Sequence, residues 1–136
     1  MSLRALPMIV ISFIIYNVVV FFSADANAAL ARDVLTLPLP SGVSWTMKMS
    51  DILMLLTLIL LFIELLKATY TSTASLLDHG LSMLVFVACL VEFIVYQKAA
   101  TSVFFFITIA TLIDVIAGYT IGIRVARRDL NIGGNN

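Results

Sequence analysis

Cysteine is almost missing from this chain: Cys89 stands alone among 136 residues, inside an apolar run. That excludes an internal disulfide and any paired-cysteine metal or redox motif, and Cys89 reads as a small core residue. Histidine is equally scarce, with one residue, His79. Neither a bis-histidine haem site nor an HExxH zinc helix can be built from it. There is also no glycine-rich phosphate loop and no nucleophile elbow. Catalytic, cofactor-binding and metal-ligating residues are therefore all expected to be none. Charge is sparse, at 12% of residues, and eight acidic side chains balance eight basic ones. Nothing in that balance favours a nucleic-acid partner.

What the chain does have is apolar length, with 62% of its residues hydrophobic. A helix that crosses ~30 Å of hydrocarbon needs ~20 mostly apolar residues. Four stretches approach this, at about 3–22, 50–68, 79–96 and 102–123. The sequence thus predicts an all-α membrane protein of four transmembrane helices, with residues 1–136 forming one unit and residues 23–49 an external segment. The first stretch also has features of a secretory signal. Arg4 precedes it, and Ala24-Asp25-Ala26 or Ala26-Asn27-Ala28 offers a small-residue cleavage site. Its apolar part, from Ala5 to Phe22, exceeds a usual signal core, so retention is the expectation.

Orientation follows from lysine and arginine near the span ends, which favour the cytoplasmic side. Arg4, Lys67, Arg124, Arg127 and Arg128 fall on one side, and Arg32, Lys48 and Lys98 on the other. The N- and C-termini are therefore expected in the cytoplasm, in a membrane of the bacterial inner type. The basic run after the fourth span reads first as a topology anchor, and Gly133 to Asn136 as a disordered end.

The connections differ in content. Gln97 to Thr101 is short enough to force the third and fourth spans into an antiparallel pair. Asp78 suits the N-cap of the third span, and His79 beside it is a weak metal signal with no further ligand nearby. The segment 23–49 is richer. Leu35, Leu37 and Leu39 alternate with other residues before Pro40-Ser41-Gly42, and Val43, Trp45 and Met47 alternate after it. That is the period of a half-buried strand on each side of a turn, and it predicts a short external β-hairpin between helices 1 and 2. An isolated hairpin is marginal in water, so its apolar face has to rest on helix ends, on headgroups or on a partner. Leu37, Leu39, Val43, Trp45 and Met47 are the external docking candidates.

Ionisable groups inside a span cost at least ~2.5 kcal/mol near the centre, so each needs a partner or a wet cavity. Glu64, Glu92 and Asp114 are such groups, with Asn17 a further intramembrane polar residue. Glu64 can pair with Lys67 three residues on, both snorkelling to the interface. Glu92 matches Thr108 and Thr111 in depth, which predicts an interhelical hydrogen bond. Asp114 lies mid-span in a four-residue stripe with Ala110, Gly118 and Gly122, which predicts close helix packing there. Asn17, Ser82 and Thr111 are its candidate hydrogen-bond partners.

These features point to a non-catalytic protein that works through helix and loop contacts as an accessory, assembly or stabilising subunit. Expected partners are membrane lipids and other membrane protein subunits, or further copies in a homo-oligomer. The rival expectation is an oligomeric proton or cation pathway through the intramembrane carboxylates. A membrane enzyme is the weakest of the three.

Overall fold

The computed structural model describes residues 6–70 and 73–134. The chain is mostly helical, in the order α1 (Val10–Phe21), α2 (Ala26–Leu30), β1 (Asp33–Pro38), β2 (Ser44–Lys48), α3 (Met49–Lys67), α4 (Thr73–Val95) and α5 (Ser102–Gly133), with a 3₁₀ turn at Gln97–Ala99. Among the described residues, three helices are long and apolar enough to cross a membrane: Met49–Lys67, Leu76–Val95 and Ser102–Gly133. α1 is shorter, at 12 residues, or about 18 Å of helix. Of the span expected over 3–22, residues 3–5 lie outside the described residues, and residues 6–9 precede α1 in a turn closed by Val10 N donating to Pro7 O.

Other boundaries also move. α4 starts at Thr73, ahead of the expected position 79, so Asp78 is an interior helical residue and not an N-cap. α5 continues ten residues past the expected end at 123, and Gly133, expected to be disordered, is its last residue. Asn135 and Asn136 lie outside the described residues. At 32 residues, α5 is about 48 Å long, more than a hydrocarbon core requires. Its basic last third therefore extends beyond the apolar bundle.

β1 and β2 form a two-stranded antiparallel sheet. Leu35 faces Met47, Leu37 faces Trp45 and Thr36 faces Thr46, so the expected apolar residues share one side. On the other side the two threonine hydroxyls lie 3.0 Å apart. Leu39 N donates to Val43 O at 2.8 Å, and Gly42 N donates to Leu39 O at 2.9 Å. Gly42 takes φ 85°, the left-handed residue that closes a three-residue hairpin loop around a Pro40-Ser41 turn. β2 then runs directly into α3. The Asp51 carboxylate accepts from Lys48 N at 2.8 Å, tying the first turn of the helix to the strand.

α5 is the central helix, packed on both α3 and α4, while α1 leans on α2 and α3. Phe104 anchors the core near the hairpin end, with ring centroids of Tyr16, Phe13 and Phe93 at 4.7, 6.2 and 6.5 Å. Tyr16 Oη lies 2.6 Å from Thr101 Oγ1 and donates to Lys98 O at 2.9 Å. Lys98 Nζ in turn donates to Val20 O at 3.3 Å and Ser23 O at 2.7 Å. A lysine thereby satisfies the last carbonyls of α1 and complements its dipole. α2 begins separately, with the Asp25 side chain accepting from Asn27 N and Ala28 N. Tyr16, Val20, Ala26 and Leu30 all belong to the buried core, so cleavage near Ala26 would remove α1 from the packing.

Candidate functional site

At the end of the bundle opposite the hairpin, three helices bring together residues far apart in the chain. Lys67, at the last residue of α3, has its Nζ 3.2 Å from Glu64 Oε1 and 3.1 Å from Asp78 Oδ1 on α4. It also donates to Leu6 O at 2.7 Å. Glu64 Oε1 accepts from Met8 N as well, so the residues leading into α1 are held by both members of the pair. The expected snorkelling of Glu64 does not occur: the residue is 2% exposed, on a helix packed against α5, with Met8 N and Lys67 Nζ on its carboxylate.

Asp114 lies on the wall of the same cluster and is also 2% exposed. Asp78, His79 and Lys67 are within electrostatic reach of it. Ser82, one turn beyond Asp78 on α4, stands beside the carboxyl, but neither Ser82 Oγ nor Asp114 Oδ2 completes a hydrogen bond. Of the partners expected for Asp114, Ser82 is the neighbour. Asn17 sits beside Glu92 instead, and Thr111 Oγ1 donates to Thr108 O at 2.6 Å. Three carboxyl groups thus share a desolvated space with one lysine and one histidine. Such a group keeps its charge balanced only by holding protons or pairing every acid.

The small-residue stripe has a specific occupant. A Cβ built on Gly118 would lie 2.9 Å from His79 Cε1 and Nδ1, and one on Gly122 would lie 3.4 Å from His79 Nε2. The two glycines therefore leave a notch for an imidazole, which also packs against Tyr119 with centroids 5.2 Å apart. Ala110 is buried on the same helix. His79, read as plain from its sequence surroundings, is a central member of the cluster. The signal that could have found it is its position on α4 opposite the two glycines of an antiparallel α5.

Glu92 lies apart from this cluster, toward the hairpin end between α4 and α1. The expected bonds to Thr108 and Thr111 do not form, since both hydroxyls donate within α5. Among the described residues, no three histidine, cysteine or acidic side chains converge to hold a metal ion. The external docking candidates are open: Leu37, Leu39, Val43 and Trp45 are all exposed, with Trp45 at 43%, while Met47 is half-buried. No protein-family model, no curated protein and no solved structure matches the chain.

Proposed function

We propose that the chain is a four-crossing protein of a bacterial-type inner membrane, with both termini cytoplasmic, that acts as a non-catalytic accessory or stabilising subunit. α1, with the residues before it, would make the fourth crossing and place the hairpin outside. The supporting observation is the hairpin itself. Leu35, Leu37, Leu39, Val43 and Trp45 leave between 40% and 63% of their surface exposed among the described residues, on a two-stranded sheet too small to be stable alone. Trp45→Asp tests this reading. It should reduce the mass of the particle extracted in mild detergent while leaving membrane insertion unchanged, because the apolar anchor lies outside every span. An unchanged particle sinks the docking role.

A second reading, a proton or cation pathway, is favoured by one observation, the buried cluster of Glu64, Lys67, Asp78, His79 and Asp114. Asp114→Asn keeps size and hydrogen bonding but removes the ionisable proton. A flux across proteoliposomes that this change abolishes without altering assembly would replace the subunit reading with the pathway.

A further inference from the structure

The two outer edges of the hairpin differ. Leu39 N donates to Val43 O, which turns the backbone groups of Val43 toward β1, and strand alternation gives Trp45 and Met47 the same orientation. Ser44 and Thr46 therefore point their backbone groups outward. Lys48 shares that orientation but is already used: its N–H is taken by the Asp51 carboxylate, and as the N-cap its carbonyl faces the first turn of α3. The open run on β2 is thus Ser44 and Thr46, and among the described residues no backbone group meets them. The outer edge of β1 is closed. Its outward positions are Thr36 and Pro38, and Pro38 has no N–H to donate. Beyond Thr36 the register shifts between Asp33 and Leu35, and such a bulge twists an edge away from a further strand. Unpaired N–H and C=O groups in this alternation fit one kind of ligand, an extended strand.

We infer that β2 pairs edge to edge with β2 of a second copy of this chain, giving a four-stranded antiparallel sheet with β1 at both outer edges. The two open residues flank Trp45, so a two-fold axis through Trp45 sets Ser44 of one protomer opposite Thr46 of the other. Each such pair exchanges both bonds, Ser44 N–H to Thr46 C=O and the reverse, and every outward group of the open run is met. Trp45 then faces its own counterpart on the apolar side, in the closer kind of cross-strand pair that favours aromatic side chains. The axis of an antiparallel pair stands perpendicular to the sheet. For a sheet whose apolar side rests on headgroups, with Trp45 at the interface, that axis is the membrane normal, which relates copies inserted with the same topology. Because Pro38 and the bulge close the far edges, pairing stops at two copies and does not propagate. Four strands also take the sheet past the marginal two-stranded size. This inference rests on the hairpin-docking reading above and names the partner of that hairpin.

The test is subunit counting by single-molecule photobleaching of the full chain in phospholipid vesicles, over a range of protein-to-lipid ratios. Thr46→Pro removes an outward N–H and spares the ladder to β1. It should weaken dimerisation by about tenfold or more, the scale of two backbone hydrogen bonds lost per dimer. Thr46→Val keeps the N–H and should dimerise as the parent does. Thr36→Pro makes the same kind of change on the closed edge and should also leave the dimer intact. Register is read by disulfide trapping, with the native Cys89 buried: chains carrying Ser44→Cys mixed with chains carrying Thr46→Cys should link, and either variant alone should link much less. Monomers at every density, equal losses from Thr36→Pro and Thr46→Pro, or trapping no stronger in the mixture would each overturn the inference. So would a Thr46→Pro effect seen in particles extracted from cells but absent from vesicles of the pure protein, which would assign the edge to a strand of another protein. Trp45→Asp is scored separately: a smaller particle with Trp45→Asp and none with Thr46→Pro overturns strand pairing alone, and the converse overturns the apolar docking reading alone.

Discussion

The imidazole of His79 fills the space that Gly118 leaves empty, so a methyl group on Gly118 would stand 2.9 Å from two ring atoms. No carbon approaches that closely without displacement, and the ring is confined by Tyr119 beside it. Gly118→Ala should destabilise the bundle by about 1 to 3 kcal/mol, the usual cost of overpacking. Gly122→Ala, at 3.4 Å, should cost less. Thermal unfolding in detergent checks the order, and adding His79→Ala to Gly118→Ala should recover part of the loss. No recovery would mean that the glycine serves something other than the ring.

Lys67 is the cation that bridges Glu64 and Asp78. Lys67→Met removes it and leaves two buried acids uncompensated, for which a loss of about 3 to 5 kcal/mol is the expected scale. Neutralising all three positions, as Lys67→Met with Glu64→Gln and Asp78→Asn, should be less harmful than the single change. Unfolding by denaturant in mixed micelles distinguishes the two. A triple variant weaker than the single one would show that the charges add stability beyond their mutual compensation.

Tyr16 joins α1 to the turn before α5 through its hydroxyl. Tyr16→Phe keeps the ring against Phe104 and loses only those polar contacts, so the cost should be about 0.5 to 1.5 kcal/mol. Tyr16→Ala should cost several times more, because the ring is fully buried. Similar losses for the two variants, measured by the same unfolding assay, would show that the hydroxyl and not the packing holds α1 in place.

Topology is checked by labelling from outside intact cells. With Cys89 buried, a cysteine at Ser41 in the hairpin loop should react with an impermeant maleimide, and one at Gly134 beyond α5 should not. Reaction at both positions would remove the four-crossing arrangement.

The apolar lengths of α3, α4 and α5 and the alternation in β1 and β2 were legible in the sequence because both are local. Hydropathy sums over neighbours, and strand period and turn chemistry act within a few residues. The Pro40-Ser41-Gly42 turn is of that kind, as Gly42 takes the positive φ such a loop needs. Helix limits were less legible: Asp78 has an N-cap residue type, yet α4 begins at Thr73. Only the tertiary structure decided which buried charges meet. Glu64, Asp78 and Asp114 lie on three helices, and whether they share a space depends on the rotation and depth of each helix, which small changes in packing set and no single segment encodes. The same holds for the glycines. Their spacing on α5 showed that something could come close, but whether backbone, lipid or the ring of His79 fills the notch depends on the residue that α4 presents at that level.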